Sequence, residues 1–149
     1  GRMRQRYGEL LAGHDTFVVP TLDEELTRDR VLAMSYEEGR PVEQLADQPQ
    51  DVRDSVFAQL IELVARELFE WGLMQTDPNF ANYRFQPDTR RLVLLDFGAT
   101  RDVDPATAEG YRTLLAAGLA GDRDAVRMAT IGTALDMAIA AVSGQRAIA

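Results

Sequence analysis

Three oxygen-bearing side chains stand at a spacing that suits a magnesium-bound triphosphate. Asp77, in Thr76-Asp77-Pro78-Asn79-Phe80-Ala81-Asn82, is followed five positions later by Asn82. Asp96 comes fourteen positions after that, in Leu94-Leu95-Asp96-Phe97-Gly98. Phosphoryl transfer asks little covalent chemistry of a protein. It asks for positioned metal ions, a positioned acceptor and compensation of charge. Magnesium takes oxygen ligands and keeps several waters, so one or two carboxylates and an amide oxygen suffice. On that chemistry Asp96 is the main carboxylate ligand and Asn82 supplies the amide oxygen. Asp77 stands near the acceptor oxygen as base or orienting group. Taken singly, Asp77-Pro78-Asn79 reads as a turn, and Asp96-Phe97-Gly98 as a strand end with a tight turn. Their combination is far more specific. An Asp-x4-Asn pair, a hairpin and an Asp-Phe-Gly after an apolar strand all follow a long amphipathic helix, the order of kinase catalytic and metal-binding loops.

The elements that must position these groups are legible around them. A helix is predicted from about Asp51 to Trp71, with Val52, Val56, Leu60, Leu63, Val64 and Leu68 at helical spacing. Asp51 is its expected N-cap and Gly72 its C-cap. Residues Asn82 to Phe85 and Arg91 to Phe97 read as a hairpin turning at Gln86-Pro87-Asp88-Thr89. Leu92 to Leu95 are continuously apolar, so that strand is expected to be buried on both faces. Arg2 to Ala12 reads as a helix with Met3, Tyr7, Leu10 and Leu11 on one side, ended by Gly13. Phe17 to Pro20 and Arg30 to Ser35 read as short strands, Glu37 to Pro41 as a break, and Val42 to Ala46 as a short helix. Asp104-Pro105 opens another helix, N-cap then proline. Gly121-Asp122 and Gly132 punctuate further helices, and Met128 to Val142 reads as a core helix. His14, with no companion histidine or nearby acid, reads as a loop residue.

Composition narrows the class. The 149 residues fit one domain, long enough to bury a core. A net charge of −8 makes a nucleic-acid backbone a poor partner. Absence of cysteine excludes disulfides and thiolate metal sites, and a single histidine argues against zinc. No apolar run reaches the ~18 residues of a bilayer span, and Gly1 to Arg6 is not the apolar segment of a signal peptide. All sixteen basic residues are arginine. Kinase-type phosphoryl transfer uses a lysine from a small N-terminal lobe, and a glycine-rich phosphate loop is absent as well. The expectation is therefore a piece of a longer chain.

The motifs Phe69-Glu70-Trp71-Gly72-Leu73-Met74-Gln75-Thr76-Asp77-Pro78-Asn79 and Leu95-Asp96-Phe97-Gly98-Ala99-Thr100-Arg101 resemble the UbiB family of atypical kinase-like proteins. They look most like its coenzyme Q-linked ADCK branch. Val31 to Val42 is similar to that family's strand-and-hinge segment, and the resemblance covers about Val18 to Ala120. It implies the catalytic-loop role for Asp77 and metal-ligand roles for Asn82 and Asp96. It puts Met34 at the gatekeeper position, with Ser35, Tyr36, Glu37 and Glu38 lining an adenine site through backbone groups. It implies ATP and Mg2+ as ligands, ATPase activity, and support of ubiquinone biosynthesis with lipid or quinone precursors and quinone-biosynthesis proteins as partners. Two departures matter. Gln75 stands where kinases carry histidine, and Asn79 where protein-serine kinases carry lysine; both weaken the case for protein phosphorylation.

The expected fold class is thus α+β and mostly helical. It is a protein-kinase-like C-lobe over 1–149, with a short β-hairpin metal site, remnant N-lobe strands at 17–35, and the lysine-bearing lobe absent. The parent is expected to be an ATP-dependent kinase or ATPase and this fragment alone inactive. The expected location is cytoplasmic, with a membrane surface reached through segments outside this chain. Two rivals differ in class. A small-molecule phosphotransferase of the aminoglycoside-kinase kind is disfavoured by Gln75-Thr76 and by Phe97 to Arg101. A non-catalytic nucleotide-sensing scaffold would use the same ligands without turnover.

Overall fold

The computed structural model describes residues 2–77 and 79–132. They are mixed α and β, and fall into two compact units. The first comprises the chain up to Val64 together with Gln75–Arg101; the second comprises Ala65–Met74 and the chain from Asp102 onward.

The first unit is built on the hairpin of β4 (Tyr83–Gln86) and β5 (Arg91–Leu94), in register Tyr83↔Leu94 to Gln86↔Arg91. Thr89 Oγ1 donates to Gln86 Oε1 across the turn, and Arg90 closes it at φ 54°. Leu92, Val93 and Leu94 are buried, as their unbroken apolar run predicts. A doubly buried strand needs partners on both edges. β4 supplies one; β1 (Phe17–Val18) supplies the other, parallel, with Phe17 beside Leu92. Strand β2 (Arg40–Pro41) lies antiparallel on β4, giving the order β1-β5-β4-β2. β2 therefore occupies a segment expected to be a break, and a 3-10 turn follows at Val42–Leu45.

Helix α1 (Arg2–Leu10) packs Tyr7 into this unit, and Gly13 ends the segment at φ 73°. Its expected apolar face is wrong at two places: Leu10 is exposed and Arg4 is buried. Helix α2 (Gln50–Arg66) turns Val56 and Leu63 inward. The Pro49 carbonyl accepts its first hydrogen bonds, from the Val52 and Arg53 N–H groups at 3.1 and 3.2 Å. Asp51 is thus inside the helix rather than its N-cap, and its carboxylate takes Arg90 at 3.0 Å. Gln59 Nε2 donates to the Arg90 carbonyl at 2.8 Å, so the hairpin turn is tied to the helix twice.

The predicted strand at Arg30 to Ser35 does not form. Only isolated bridges occur, Leu22 with Met34 and Arg28 with Val31. Val31, Leu32 and Met34 are all exposed, so their strand propensity finds no pleated surface to pack on. The remaining strand of the 17–35 region, β1, joins the hairpin sheet.

In the second unit a π-type turn, Glu67–Trp71, closes on Gly72, whose φ is 60° and whose N–H reaches the Glu67 carbonyl. That bears out Gly72 as the C-cap. Strands β3 (Leu73–Gln75) and β6 (Thr100–Asp102), neither of which belongs wholly to this unit, pair in a two-stranded sheet. Helix α3 (Pro105–Leu119) is capped by Asp104 with Pro105 in its first turn, as its sequence predicts. Arg112 lies over the Phe69 ring, 4.9 Å from its centroid. Residues 123–132 are helical again, and the break expected at Gly132 falls at the last of the described residues. Met128 and Ile131 are exposed there; the rest of the expected core helix to Val142 lies outside the described residues.

Two outcomes follow from this packing. Gly39 sits at φ 152°, where a Cβ would meet Arg84 Cβ at 3.0 Å and the Phe85 carbonyl oxygen at 3.1 Å. Gly39→Ala is expected to cost about 1–3 kcal/mol, read by urea denaturation. The Asp104 carboxyl is held below its ordinary 3.8, first by the Thr107 hydroxyl and then by the Thr107 N–H. A depressed pKa gives stability that is complete above 3.8 and is lost as pH falls through the lowered value. Asp104→Ala should therefore lower the melting temperature at neutral pH, with the difference from the parent chain vanishing in strongly acidic buffer.

Candidate nucleotide and metal site

Asp77 opens a turn that the chain hydrogen-bonds to itself. The Asn79 N–H reaches the Asp77 carbonyl at 2.8 Å, and Asn79 Oδ1 accepts from the Ala81 N–H at 2.9 Å. The Asn82 N–H then reaches the Asn79 carbonyl at 2.9 Å, closing the 3-10 turn Phe80–Asn82. This is Asx-type turn chemistry, and it fixes the interval between Asp77 and Asn82 locally. The Asn82 carbonyl accepts from the Leu95 N–H at 3.0 Å. The β4/β5 ladder thus extends one step, and Asn82 lies beside the strand end that carries Asp96.

Asp96 is exposed, between buried Leu94 and buried Phe97. The Phe97 ring returns to the core against Tyr7 of α1, with centroids 4.6 Å apart. The Gly98 N–H donates to Asp96 Oδ1 at 2.8 Å, which orients the carboxylate. A Cβ at residue 98 would come within 3.2 Å of that oxygen, so the small residue is what lets the carboxylate fold over its own loop. Arg101 braces the same loop, donating to the Thr100 carbonyl at 2.9 Å.

Four further bonds stitch the segment before Asp77 to the Asp96 loop. The Thr76 N–H reaches the Ala99 carbonyl at 3.2 Å, joined by the Thr76 hydroxyl at 2.5 Å. Gln75 Nε2 donates to the Asp96 carbonyl at 2.7 Å, while its Oε1 accepts from the Thr100 hydroxyl at 3.1 Å. Thr100 is 1% exposed, so that hydroxyl depends on a protein partner. Gln75 therefore ties both ends of the Asp96 loop to the turn that carries Asp77. Read from sequence it was a departure from the kinase histidine; folded, it is a two-ended brace. Its position two before Asp77 was the one signal available.

Asp77, Asn82 and Asp96 are thus carried on two loops joined by these bonds. The Met34 to Glu38 segment is engaged elsewhere. Met34 Sδ takes a bond from Arg4, and Ser35 Oγ accepts from the Thr21 N–H at 2.9 Å while donating to Glu37. Tyr36 is 82% exposed, and Glu38 is exposed too. Among the described residues, no three His, Cys, Asp or Glu side chains cluster as a metal cage. A magnesium carried in by phosphates does not need one. His14 is a loop residue, its Nδ1 accepting from the Thr16 N–H.

Residues 1–130 match the ABC1 atypical kinase-like domain. The chain belongs to the ABC1 atypical kinase-like family. This is the family that its catalytic-loop and Asp-Phe-Gly motifs resemble under the name UbiB. Over 122 residues the chain is 41% identical to the mitochondrial atypical kinase COQ8B of Rattus norvegicus, covering 82% of this chain and 23% of that protein. It is 32% identical over 122 residues to the mitochondrial atypical kinase COQ8 of Saccharomyces cerevisiae, covering 82% and 24%. This ABC1-family chain thus spans about a quarter of the length of the curated relatives it matches. Among solved structures, Rv3197 of Mycobacterium tuberculosis, solved in complex with erythromycin, superposes with a TM-score of 0.69 at 21% identity. The match covers 86% of this chain and 32% of that one, and at that identity it shows a shared fold alone.

One expectation is overturned here. The relatives from rat, zebrafish, worm and two yeasts are all named as mitochondrial proteins, so the cytoplasmic placement does not stand. Charge and cysteine count carry no information on that compartment. No helix among the described residues is long and apolar enough to cross a membrane.

The Gln75 brace has a measurable consequence in this ABC1-family chain. Gln75→Ala leaves the buried Thr100 hydroxyl and the Asp96 carbonyl without their partner. It is expected to cost about 1–3 kcal/mol and to speed amide hydrogen exchange at Gly98 and Thr100 more than at Leu92 and Val93.

Proposed function

We propose that this chain is the metal- and nucleotide-holding part of an ATP-dependent atypical kinase or ATPase of the UbiB type, one that supports ubiquinone biosynthesis in its parent protein. The observation that carries the reading is the presentation of Asp96. Its carboxylate is exposed at the point where a buried strand leaves the core, is oriented by the Gly98 N–H, and has Asn82 joined to the adjacent residue. In this reading the chain is one kinase-like C-lobe over 1–149, with the hairpin as the support of its metal site.

The residues present fit magnesium. Gly98 engages only Oδ1 of Asp96, leaving Oδ2 for a cation, and Asn82 adds an amide oxygen of the hardness magnesium prefers. Magnesium there would neutralise phosphate charge as it develops on the leaving oxygens. Asp77 would orient the acceptor hydroxyl or water and receive its proton. Met34 would border the adenine, with Ser35, Tyr36, Glu37 and Glu38 offering it backbone groups. The chain has arginine but no lysine, so a lysine grip on the phosphates falls to another part of the parent. The acceptor would be a lipid or quinone precursor, another small molecule, or water.

The deciding measurement is calorimetric titration of ADP into this chain with and without magnesium. Binding should require magnesium, and Asp96→Asn should weaken it tenfold or more, about 1.4 kcal/mol. Asp77→Asn should leave binding intact and abolish turnover in the full-length parent. Binding by the parent that ignores magnesium, or survives Asp96→Asn unchanged, would sink the assignment. Function of the parent that persists in Asp77→Asn without turnover would favour a nucleotide-sensing scaffold.

A further inference from the structure

Outside the candidate site, the first unit holds a cavity of about 850 Å³ beside α1 and the chain from Phe17 to Leu22. None of Asp77, Asn82 and Asp96 lines it. Three arginines do, and two of them, Arg4 and Arg91, are short of partners. Arg4 is only 7% exposed. Its Nη2 donates to the Pro20 carbonyl at 2.6 Å and to Met34 Sδ at 3.4 Å, yet its Nε and Nη1 are buried with no partner at all. Arg91, on β5, spends Nη2 on the carbonyls of His14 and Phe17 at 2.9 and 3.1 Å. Its Nε is likewise buried and unpartnered.

That arrangement is costly as it stands. An unsatisfied buried donor costs about 1–3 kcal/mol, and more when it is charged. A lysine could shed its proton to escape; a guanidinium does not. Burial does pull the Arg4 pKa down, as desolvation of a cation without a counter-ion must. The two acids on the cavity wall do not meet the need. Glu9 and Glu24 are both exposed, Glu9 is engaged by Gln5 at 3.2 Å, and neither reaches the orphan nitrogens. Much of the rest of the wall is apolar, including buried Leu11 and Phe17. The volume lies in the ~300–1,000 Å³ range of small-molecule sites, far more than a lone inorganic anion fills.

We propose that this cavity binds a small organic acid, with a carboxylate or phosphate head against Arg4 and Arg91 and an apolar body against Leu11, Phe17 and Val19. The three orphan N–H donors are sealed from solvent as the structure stands, so Arg4 and Arg91 would turn toward the head to exchange them for charge-assisted hydrogen bonds. The site includes none of Asp77, Asn82 and Asp96 and does not depend on the nucleotide reading, although Arg4 also touches Met34.

The test uses the 149-residue chain and three probes sharing one apolar body: octanoate, octyl phosphate and octylamine. The Nε–H resonances of Arg4 and Arg91 are followed by NMR at millimolar probe. Both should shift saturably with an anionic probe, the tighter of the two naming the head group, and neither with octylamine. Arg4→Met should weaken binding by about tenfold or more, and should raise the melting temperature without probe, since it removes the orphan charge. Shifts with neither acid, equal binding of octylamine, or undiminished affinity in Arg4→Met would each overturn the proposal. Should that variant not fold, the Arg4 and Arg91 resonances of the unaltered chain decide alone.

Discussion

The constraint on which the first unit rests is the burial of β5. Leu92 and Val93 are 0% exposed and Leu94 is 3% exposed, so every backbone polar group along the strand must find a partner in protein. β4 meets one edge through a short turn, at little entropic expense. The other edge is met by β1, some seventy-five residues away in sequence, in parallel register. Docking of α2 on the hairpin through Gln59, Asp51 and Arg90 then holds the turn end. At its far end the strand leaves the core within two residues, and the first side chain to reach solvent freely is the carboxylate of Asp96. Phe97 at once returns to the core against Tyr7. An ionisable group next to a buried side chain, at the end of a buried strand, is held far more firmly than one on a free loop.

What could be read in advance follows from the range of the interaction. Helix α2, the β4/β5 hairpin, the Gly72 cap and the Asp104-Pro105 start all depend on neighbours within a few residues. Propensity, periodicity and turn chemistry report those directly. Arg30 to Ser35 has strand-like residues too, but a strand exists only where another pairs with it, and none does. β2 was missed for the converse reason: Arg40-Pro41 has no strand signal, and the β4 edge recruits it. Burial of Arg4 on a face expected to be apolar is likewise a tertiary fact, set by the Pro20 carbonyl that it reaches.

The candidate site divides in the same way. Asp77, Asn82 and Asp96 stand out because their spacing is a local signature, and the structure carries them on two loops joined by hydrogen bonds. The compartment could not be picked out, since it is an address rather than a packing problem. Gln75 was visible as a departure from histidine, but the groups it touches were not. Judged against a histidine it is a loss; judged by what it touches, its amide offers a donor and an acceptor on one planar group. A neutral imidazole also presents one donor and one acceptor, on opposite sides of its ring. The Gln75 amide makes both bonds without a group that titrates near neutrality.

That exchange bears on what a metal site in an acidic chain requires. The chain carries sixteen arginines against twenty-four acids and no lysine, so its field opposes a nucleotide polyanion. In the proposed reading, a phosphate group entering beside Asp77 and Asp96 would meet two carboxylates. Magnesium would resolve that conflict by inverting the local charge, provided the carboxylate is in place before the ion arrives. A brace that depended on a protonation state would let pH loosen the Asp96 loop where binding is already finely balanced. An amide brace, together with the Gly98 N–H on Oδ1 and the Asn82 carbonyl on Leu95, holds the loop by groups that do not titrate.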